Sequence, residues 1–398
     1  MEEEEQPKTP VTVLTGALGA GKTTLIKHVL EKPHGYRVAV IQNEFSTEMG
    51  IEAPLITDAN GNDFKDIYEL PNGCLCCSAK DGLISTLDRL LDERQRFDYV
   101  LVEATGTADP EAICDIFWLD DGLGSLVYLD GVVTLVDGRN ALSSLGDSSR
   151  GAGDAGALGL EVEAAKQVAC ADVLLLNKAD VTPERHRRCI AERLVAMNPT
   201  AVVLESSFSA VPLSSILGIH AFDRGRLAQT LDRLVLPSSS SSGPVGKHRF
   251  CSAHDCSSCA GDHKHQGLCQ GHDGHDNLIV GDHGIESLLL RSTTSLDLYC
   301  PDRVEAWLAQ VLWEKTAGGV YRCKGLFRAP RQSASDEDGG VDKAAAATSA
   351  YALQGVGKLF EVEEAPRAFV SDSKFLFIGR GLQCRALEDG LRGCLWQS

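Results

Sequence analysis

Residues 16–23 read Gly16-Ala17-Leu18-Gly19-Ala20-Gly21-Lys22-Thr23, matching G-x-x-x-x-G-K-[ST]. This spacing suits a polyphosphate. The glycines let backbone N–H groups turn inward, the Lys22 ammonium reaches the outer phosphates, and the Thr23 hydroxyl can ligate Mg²⁺. A helix starting there adds its positive end to the same anion. Further on, Asn177-Lys178-Ala179-Asp180 closes an apolar run. A carboxylate in Asn-Lys-x-Asp accepts both the ring N–H and the exocyclic amine of guanine, whereas adenine offers it an acceptor and leaves it unpaired. These four residues are expected to choose GTP over ATP. Between the two motifs, Val100-Leu-Val-Glu103-Ala-Thr-Gly106 is a strand pattern ending in an acid and a glycine. Glu103 is expected to hold Mg²⁺, directly or through water, and Gly106 to let the backbone approach the γ-phosphate. An acid that merely caps a strand is the plainer alternative. Lys22, Thr23 and Glu103 are the expected catalytic residues. No arginine or water-positioning residue declares itself, so slow turnover is expected.

A second chemistry sits at Asn72-Gly73-Cys74-Leu75-Cys76-Cys77. Adjacent cysteines bridge each other only with strain. Three thiolates within four residues can instead converge on one soft or borderline ion, zinc being the commonest occupant and Cu(I) an alternative. Cys74, Cys76 and Cys77 are the expected metal ligands. Three protein ligands leave a position open, as suits an ion that moves on. A redox pair or incidental clustered thiols are the competing readings. The cluster lies between the phosphate loop and the Glu103 strand, where nucleotide switches keep their moving segments, so metal and nucleotide are expected to be coupled.

Between Cys251 and His283 lie four cysteines and six histidines, with Cys256-Ser-Ser-Cys259 at metal-ligand spacing. The interspersed Gly and Asp argue against a packed core, and a tethered collector raising local metal concentration is the expected role. A spacer with incidental histidines and a small zinc knuckle are the alternatives.

These residues need a scaffold. Strand patterns at 11–15, 37–42, 99–103, 132–136, 173–177 and 201–205 alternate with helical ones such as 82–94 and 184–197. Strands alternating with helices imply a parallel sheet covered on both faces. From Pro237 the composition turns Ser-rich and then Cys/His-rich. Beyond it, 304–313 reads as an amphipathic helix and 324–328, 351–360 and 374–379 as strands, with low complexity over 331–348. The expected fold class is α/β, a P-loop NTPase with a mainly parallel sheet, followed by a smaller α+β domain. The expected division is 1–236, a flexible linker 237–284, and 285–398.

At 398 residues and 43% hydrophobic content the chain can bury two cores. A formal charge of −18 leaves no cationic stripe, arguing against nucleic acid and against anionic membrane surfaces as partners. The acidic start, residues 1–5, is the opposite of a secretory signal, and no apolar run approaches the roughly 18 residues that cross a bilayer. A cytoplasmic protein is expected, with entry to the nucleus left open. There the 14 cysteines are thiols or metal ligands rather than disulfides.

The order P-loop, Gly-Cys-x-Cys-Cys, Glu-x-x-Gly, Asn-Lys-x-Asp resembles the CobW-type metallochaperone GTPases, and most of all the eukaryotic zinc-regulated GTPase metalloprotein activators. Asn43-Glu44-Phe45, Ala108-Asp109-Pro110, Leu129-Asp130-Gly131 and Val136-Asp137 add to the likeness, as do Leu312-Trp-Glu-Lys315, Arg322-Cys-Lys-Gly325 and Ile378-Gly379-Arg380. The resemblance implies a GTPase that takes Zn²⁺ at Cys74/Cys76/Cys77 when GTP is bound and passes it to a client apo-metalloprotein on hydrolysis. It also implies that Cys77, Ser78, Ala79, Lys80 and Asp81 lie against the nucleotide and that Glu44 is a switch acid. Ser46 and Thr47 depart from the family's Asn-Glu-Phe-Gly-Glu. The related activators carry a Cys-Pro-Glu-Leu-Val-Pro-like motif that docks type 1 methionine aminopeptidase. Residues 2–10 have acids and prolines but not that motif, so this client is one candidate among others. A cobalt or nickel chaperone for cofactor insertion, and a GTP-binding metal store or sensor, are the alternative functions.

Overall fold

The computed structural model describes residues 8–32, 35–42, 67–69, 83–84, 86–87, 90–91, 97–106, 109–119, 126–141, 155–232, 234, 278–282, 284–292, 297–331, 348–365, 370 and 372–396. They fall into two compact units that divide at Ala221/Phe222.

The first unit is built on seven parallel strands: β1 (Thr9–Gly16), β2 (Val38–Gln42), β3 (Ile67–Glu69), β4 (Tyr99–Glu103), β5 (Val127–Asp137), β6 (Val173–Asn177) and β7 (Val202–Glu205), in the order β3-β2-β4-β1-β5-β6-β7. The runs Val-Leu-Leu-Leu of β6 and Val-Ala-Val-Ile of β2 are buried throughout, as parallel strands covered on both faces require. Helix α1 (Lys22–Glu31) lays Leu25, Ile26 and Val29 over one face, among Leu14, Val40, Leu101 and Leu135. Helices α2 (Pro110–Leu119) and α3 (Ala155–Cys170) contact β1 and β5, and α4 (Glu184–Met197) contacts β6 and β7. Thr134, next to Leu135 and so on the opposite face of β5, donates to the Gln167 carbonyl on α3.

Since every strand runs the same way, Gly16, Gln42, Glu103, Asp137, Asn177 and Glu205 end their strands on one edge of the sheet. Strand β1 is central, and the chain leaves it first toward β2 and later toward β5. Ligands of open parallel sheets bind at such a reversal, beyond the carboxyl ends of the strands.

The second unit has a six-stranded antiparallel sheet, order β12-β11-β10-β13-β9-β8, from β8 (Leu278–Asp282), β9 (Ile285–Arg291), β10 (Gly319–Pro330), β11 (Thr348–Val356), β12 (Leu359–Glu364) and β13 (Lys374–Arg380). Helices α6 (Pro301–Trp313) and α7 (Cys384–Gly393) bury Leu308, Val311, Leu387 and Leu391 against Phe327, Leu353, Phe375 and Phe377. Burial pushes the thiol of Cys323, in this core, up to about 12, so it packs as a small apolar group.

Two differences from the sequence reading have physical causes. Residues 351–360, which read as one strand, are the arms of a hairpin whose two-residue turn is Gly357-Lys358, with Val356 paired to Leu359. The division expected at 236 falls at 221/222, because α5 (Arg224–Asp232) packs on β10 of the second unit. Phe222 explains the same allegiance: its ring lies 5.4 Å beneath the Arg322 guanidinium and its carbonyl accepts from Gln354.

Candidate functional site

The phosphate loop joins the end of β1 to the start of α1. Gly21 adopts φ 111°, and a Cβ there would lie 2.3 Å from the Asn177 amide nitrogen, so this turn admits no side chain. Lys22 is buried, and its ammonium donates to the carbonyls of Gly16 (2.8 Å) and Ala17 (3.3 Å). Burial depresses its pKa, and the Glu103 charge opposes that shift. Thr23 is exposed on the first turn of α1. Glu103 ends β4 beside β1, in register with Leu14, and accepts from the Gln42 amide at 2.7 Å. A hydroxyl and a carboxylate at this edge are hard oxygen donors, the set that Mg²⁺ takes.

Gly106 sits against the loop: a Cβ on it would come within 2.6 Å of the Leu18 backbone nitrogen. Two side chains of α3 hold its segment. Gln167, buried, donates to the Gly106 carbonyl at 3.1 Å, and Lys166 donates to Asp109 at 2.9 Å. Burial alone would lower the Lys166 pKa, but the hydrogen bond and charge of Asp109, with Glu163 and Glu111, hold it well above the ordinary lysine value. Asp109 in turn accepts from the Glu111 N–H and caps α2 ahead of Pro110, a contact worth about 1 kcal/mol.

Asn177 is the bracket of the site. Its amide donates to the Ala20 carbonyl (2.8 Å) and to Ser209 Oγ (2.9 Å), and its carbonyl accepts from Ser206 Oγ and the Ser209 N–H. Ser209 Oγ donates to the Gly21 carbonyl. Thus the phosphate loop, the end of β6 and the loop after β7 form one hydrogen-bonded unit. Lys178, at φ 64°, pairs with the buried Asp137 at 2.8 Å. Ala179 donates to the Ser206 carbonyl, and Arg187 of α4 braces the turn through the carbonyls of Ala179 and Thr182. Asp180 is exposed at the tip.

Gly16 to Thr23, Glu103 and Asn177 to Asp180 are therefore brought to one edge. Cys74, Cys76, Cys77, Ser78, Ala79, Lys80 and Asp81, Glu44, and the Cys/His tract lie outside the described residues. Among the described residues no group of three His, Cys, Asp or Glu is arranged to hold a metal. The sequence reading missed Ser206, Ser209, Lys166 and Gln167. A polar Gln leading into the apolar Val168-Ala169-Cys170 end of α3 is the available signal for the last. Ser-Ser-Phe-Ser after a strand is ordinary turn chemistry and offered none.

The chain is 31% identical over 388 residues to zinc-regulated GTPase metalloprotein activator 1 of Schizosaccharomyces pombe, a match covering 94% of this chain and 82% of the relative. Residues 10–205 match the CobW/HypB/UreG nucleotide-binding domain. The chain belongs to this family. The Saccharomyces cerevisiae activator of the same name is 36% identical over 238 residues, 57% of this chain and 55% of its own. Zinc chaperone YjiA of Escherichia coli is 37% identical over 216 residues, 53% of this chain and 62% of its own. A crystal structure of Zn(II)-bound YjiA GTPase superposes with TM-score 0.60 over 98% of this chain and 99% of that one, at 23% identity, which establishes the shared fold. The CobW/HypB/UreG match runs from the second residue of β1 to the last of β7 and so takes in all seven strands. No described helix is long and apolar enough to cross a membrane.

Proposed function

We propose that this chain is a GTPase that carries zinc on Cys74, Cys76 and Cys77 and couples GTP binding and hydrolysis to transfer of the ion to a client metalloprotein. The observation that carries the reading is the convergence of phosphate loop, Glu103, Gly106 and Asn177–Asp180 on one sheet edge in a chain of this family. Asp180 reads the edge of guanine, and Asn177 locks that reader to the phosphate loop. In hydrolysis, water attacks the γ-phosphorus and the bond to the β–γ bridging oxygen breaks, leaving GDP and phosphate. Lys22 meets the charge that gathers on the leaving oxygen, giving up its carbonyl contacts to phosphate oxygens. The Gly106 N–H supports the γ-phosphate, with Gln167 setting its position. Thr23 and Glu103 would hold Mg²⁺, which would supply positive charge to neutralise the phosphates.

Chain length supports the coupling. Cys74 follows Glu69, the last residue of β3, by five residues, which span on the order of 17 Å when extended. Strand β3 is three strands from β1, roughly 14 Å at ordinary sheet spacing. A segment of that length allows Cys74 to reach the nucleotide edge, which supports coupling between the two sites. The related names, a zinc-regulated activator and a zinc chaperone, support zinc as the cargo.

The test is a pair of variants. Cys76→Ser is expected to lose tight zinc binding while keeping GDP affinity, and unchanged zinc affinity would sink the ligand assignment. Asp180→Asn is expected to weaken GTP binding at least 100-fold (about 2.7 kcal/mol) and to favour xanthosine nucleotides. Unchanged guanine preference would remove the base reading.

A further inference from the structure

The loop after β7 carries a feature that the fold does not require. Phe208 is 73% exposed, among the most exposed large apolar side chains of the described residues. Its backbone adopts φ 53°, and Ser209 follows at φ 56°. A bulky residue in this left-handed region is a rare outlier, and glycine or asparagine would take the turn with less strain. The position therefore combines an unfavourable backbone with a ring kept in water.

The loop is also the best-anchored segment of the site. Ser209 donates its N–H to Asn177 (2.9 Å) and its hydroxyl to the Gly21 carbonyl (3.0 Å), while the Ser206 carbonyl accepts from Ala179 (3.0 Å). Ala210 N–H closes the turn on the Ser207 carbonyl at 3.0 Å. The Phe208 backbone is thus fixed beside the Asn177–Asp180 turn, between residues that bond to the phosphate loop and to that turn. A strained, exposed aromatic on so firmly anchored a backbone is explained by a partner with a flat apolar face.

We propose that Phe208 is a base-stacking residue, its ring covering one face of the purine whose edge Asp180 reads. This rests on the base reading given above and adds a second kind of recognition to it. The carboxylate selects guanine through its edge. The ring supplies affinity through the π-face, which every purine has, and so does not discriminate among bases. Diphosphate and triphosphate nucleotides present the same face, so the contribution is equal for both.

The experiment measures GDP and non-hydrolysable GTP analogue affinities by displacement of a fluorescent guanine nucleotide from the full chain. Phe208→Ala is expected to raise both dissociation constants about 10-fold, and Phe208→Tyr to restore them. Phe208→Gly, which relieves the positive φ, is expected to melt no lower than the natural protein while binding nucleotide as weakly as Phe208→Ala. That combination separates stacking from folding. Phe208→Ala with unchanged affinities overturns the inference, as does a loss confined to the triphosphate. Asp180→Asn run in parallel distinguishes the failures. If it loses guanine preference while Phe208→Ala binds normally, the base reading stands and stacking falls. If Asp180→Asn leaves guanine binding intact, the base reading fails and takes this inference with it.

Discussion

The parallel sheet carries a buried polar network near each end, and only one of them is built to bind something. Toward the amino ends of the strands, Asp130 is fully buried and accepts from the Tyr99 hydroxyl (2.5 Å) and the N–H groups of Ile219 (2.6 Å) and His220 (2.9 Å). Tyr99 also shares a hydrogen bond with Thr12 and accepts from the Gly218 N–H. Burial and the neighbouring carboxylate push the Tyr99 phenol far above its ordinary range, so it remains a donor. Every polar group named here finds its partner inside the fold, and the result is a staple that ties the 216–220 turn to the sheet. At the carboxyl ends the network around Asn177 is equally well bonded, yet it holds a rim of exposed groups: Leu18, Thr23, Asp180 and Phe208. Burial and hydrogen bonding alone do not separate a site from a staple. What separates them is the rim: the Asp130 network ends on one exposed side chain, His220, whereas the Asn177 network ends on exposed groups from the phosphate loop, the Asn177–Asp180 turn and the loop after β7 together.

Three substitutions test that contrast. The largest effect is expected in the phosphate loop. Lys22→Met should cut GTP turnover by 100-fold or more, since it removes a preorganised donor from the charge that develops in the transition state. Single-turnover kinetics at saturating GTP would read this, and a loss under 10-fold would mean that the buried ammonium is structural. Next is Gln167→Leu, which leaves the Gly106 carbonyl without its amide. If Gly106 serves the γ-phosphate as proposed, turnover is expected to fall about 10-fold with GDP affinity unchanged. Equal losses for GDP and turnover would make Gln167 a general packing residue. The smallest functional effect is expected at the staple. Tyr99→Phe should cost about 1–3 kcal/mol of folding stability by depriving a buried carboxylate of a donor, with turnover per folded molecule unchanged. Urea denaturation and steady-state assays check both halves, and a turnover loss without destabilisation would erase the distinction.

The sequence disclosed the site's motifs more fully than the fold around them. Gly16–Thr23 and Asn177–Asp180 were legible because their chemistry depends on local spacing. Their meeting through Asn177, Ala20 and Ser209 was not, since it depends on β6 and β1 flanking β5, a matter of strand order. The sequence marks β5 only over 132–136 because Asp130-Gly131 interrupts its apolar run. The strand continues through that point by a bulge, with Val11 paired to Leu129 and Thr12 to Gly131. The expected first domain, 1–236, takes in α5 for a similar reason. The helix's apolar residues Leu227 and Leu231 mark a buried face, but nothing in their spacing says which sheet buries it. Cys74, Cys76 and Cys77 remain a reading of sequence and family.

Zinc transfer driven by GTP requires coupling between the nucleotide and zinc sites. That coupling is tested most directly by zinc affinity, measured by chelator competition with the protein loaded in turn with GDP, with a non-hydrolysable GTP analogue and with no nucleotide. Zinc is expected to bind at least 10-fold tighter with the analogue than with GDP, and, by linkage, zinc should raise the preference for the analogue over GDP by the same factor. Equal zinc affinity in all three states would contradict it, leaving a GTPase and a metal site that share a chain without acting on each other.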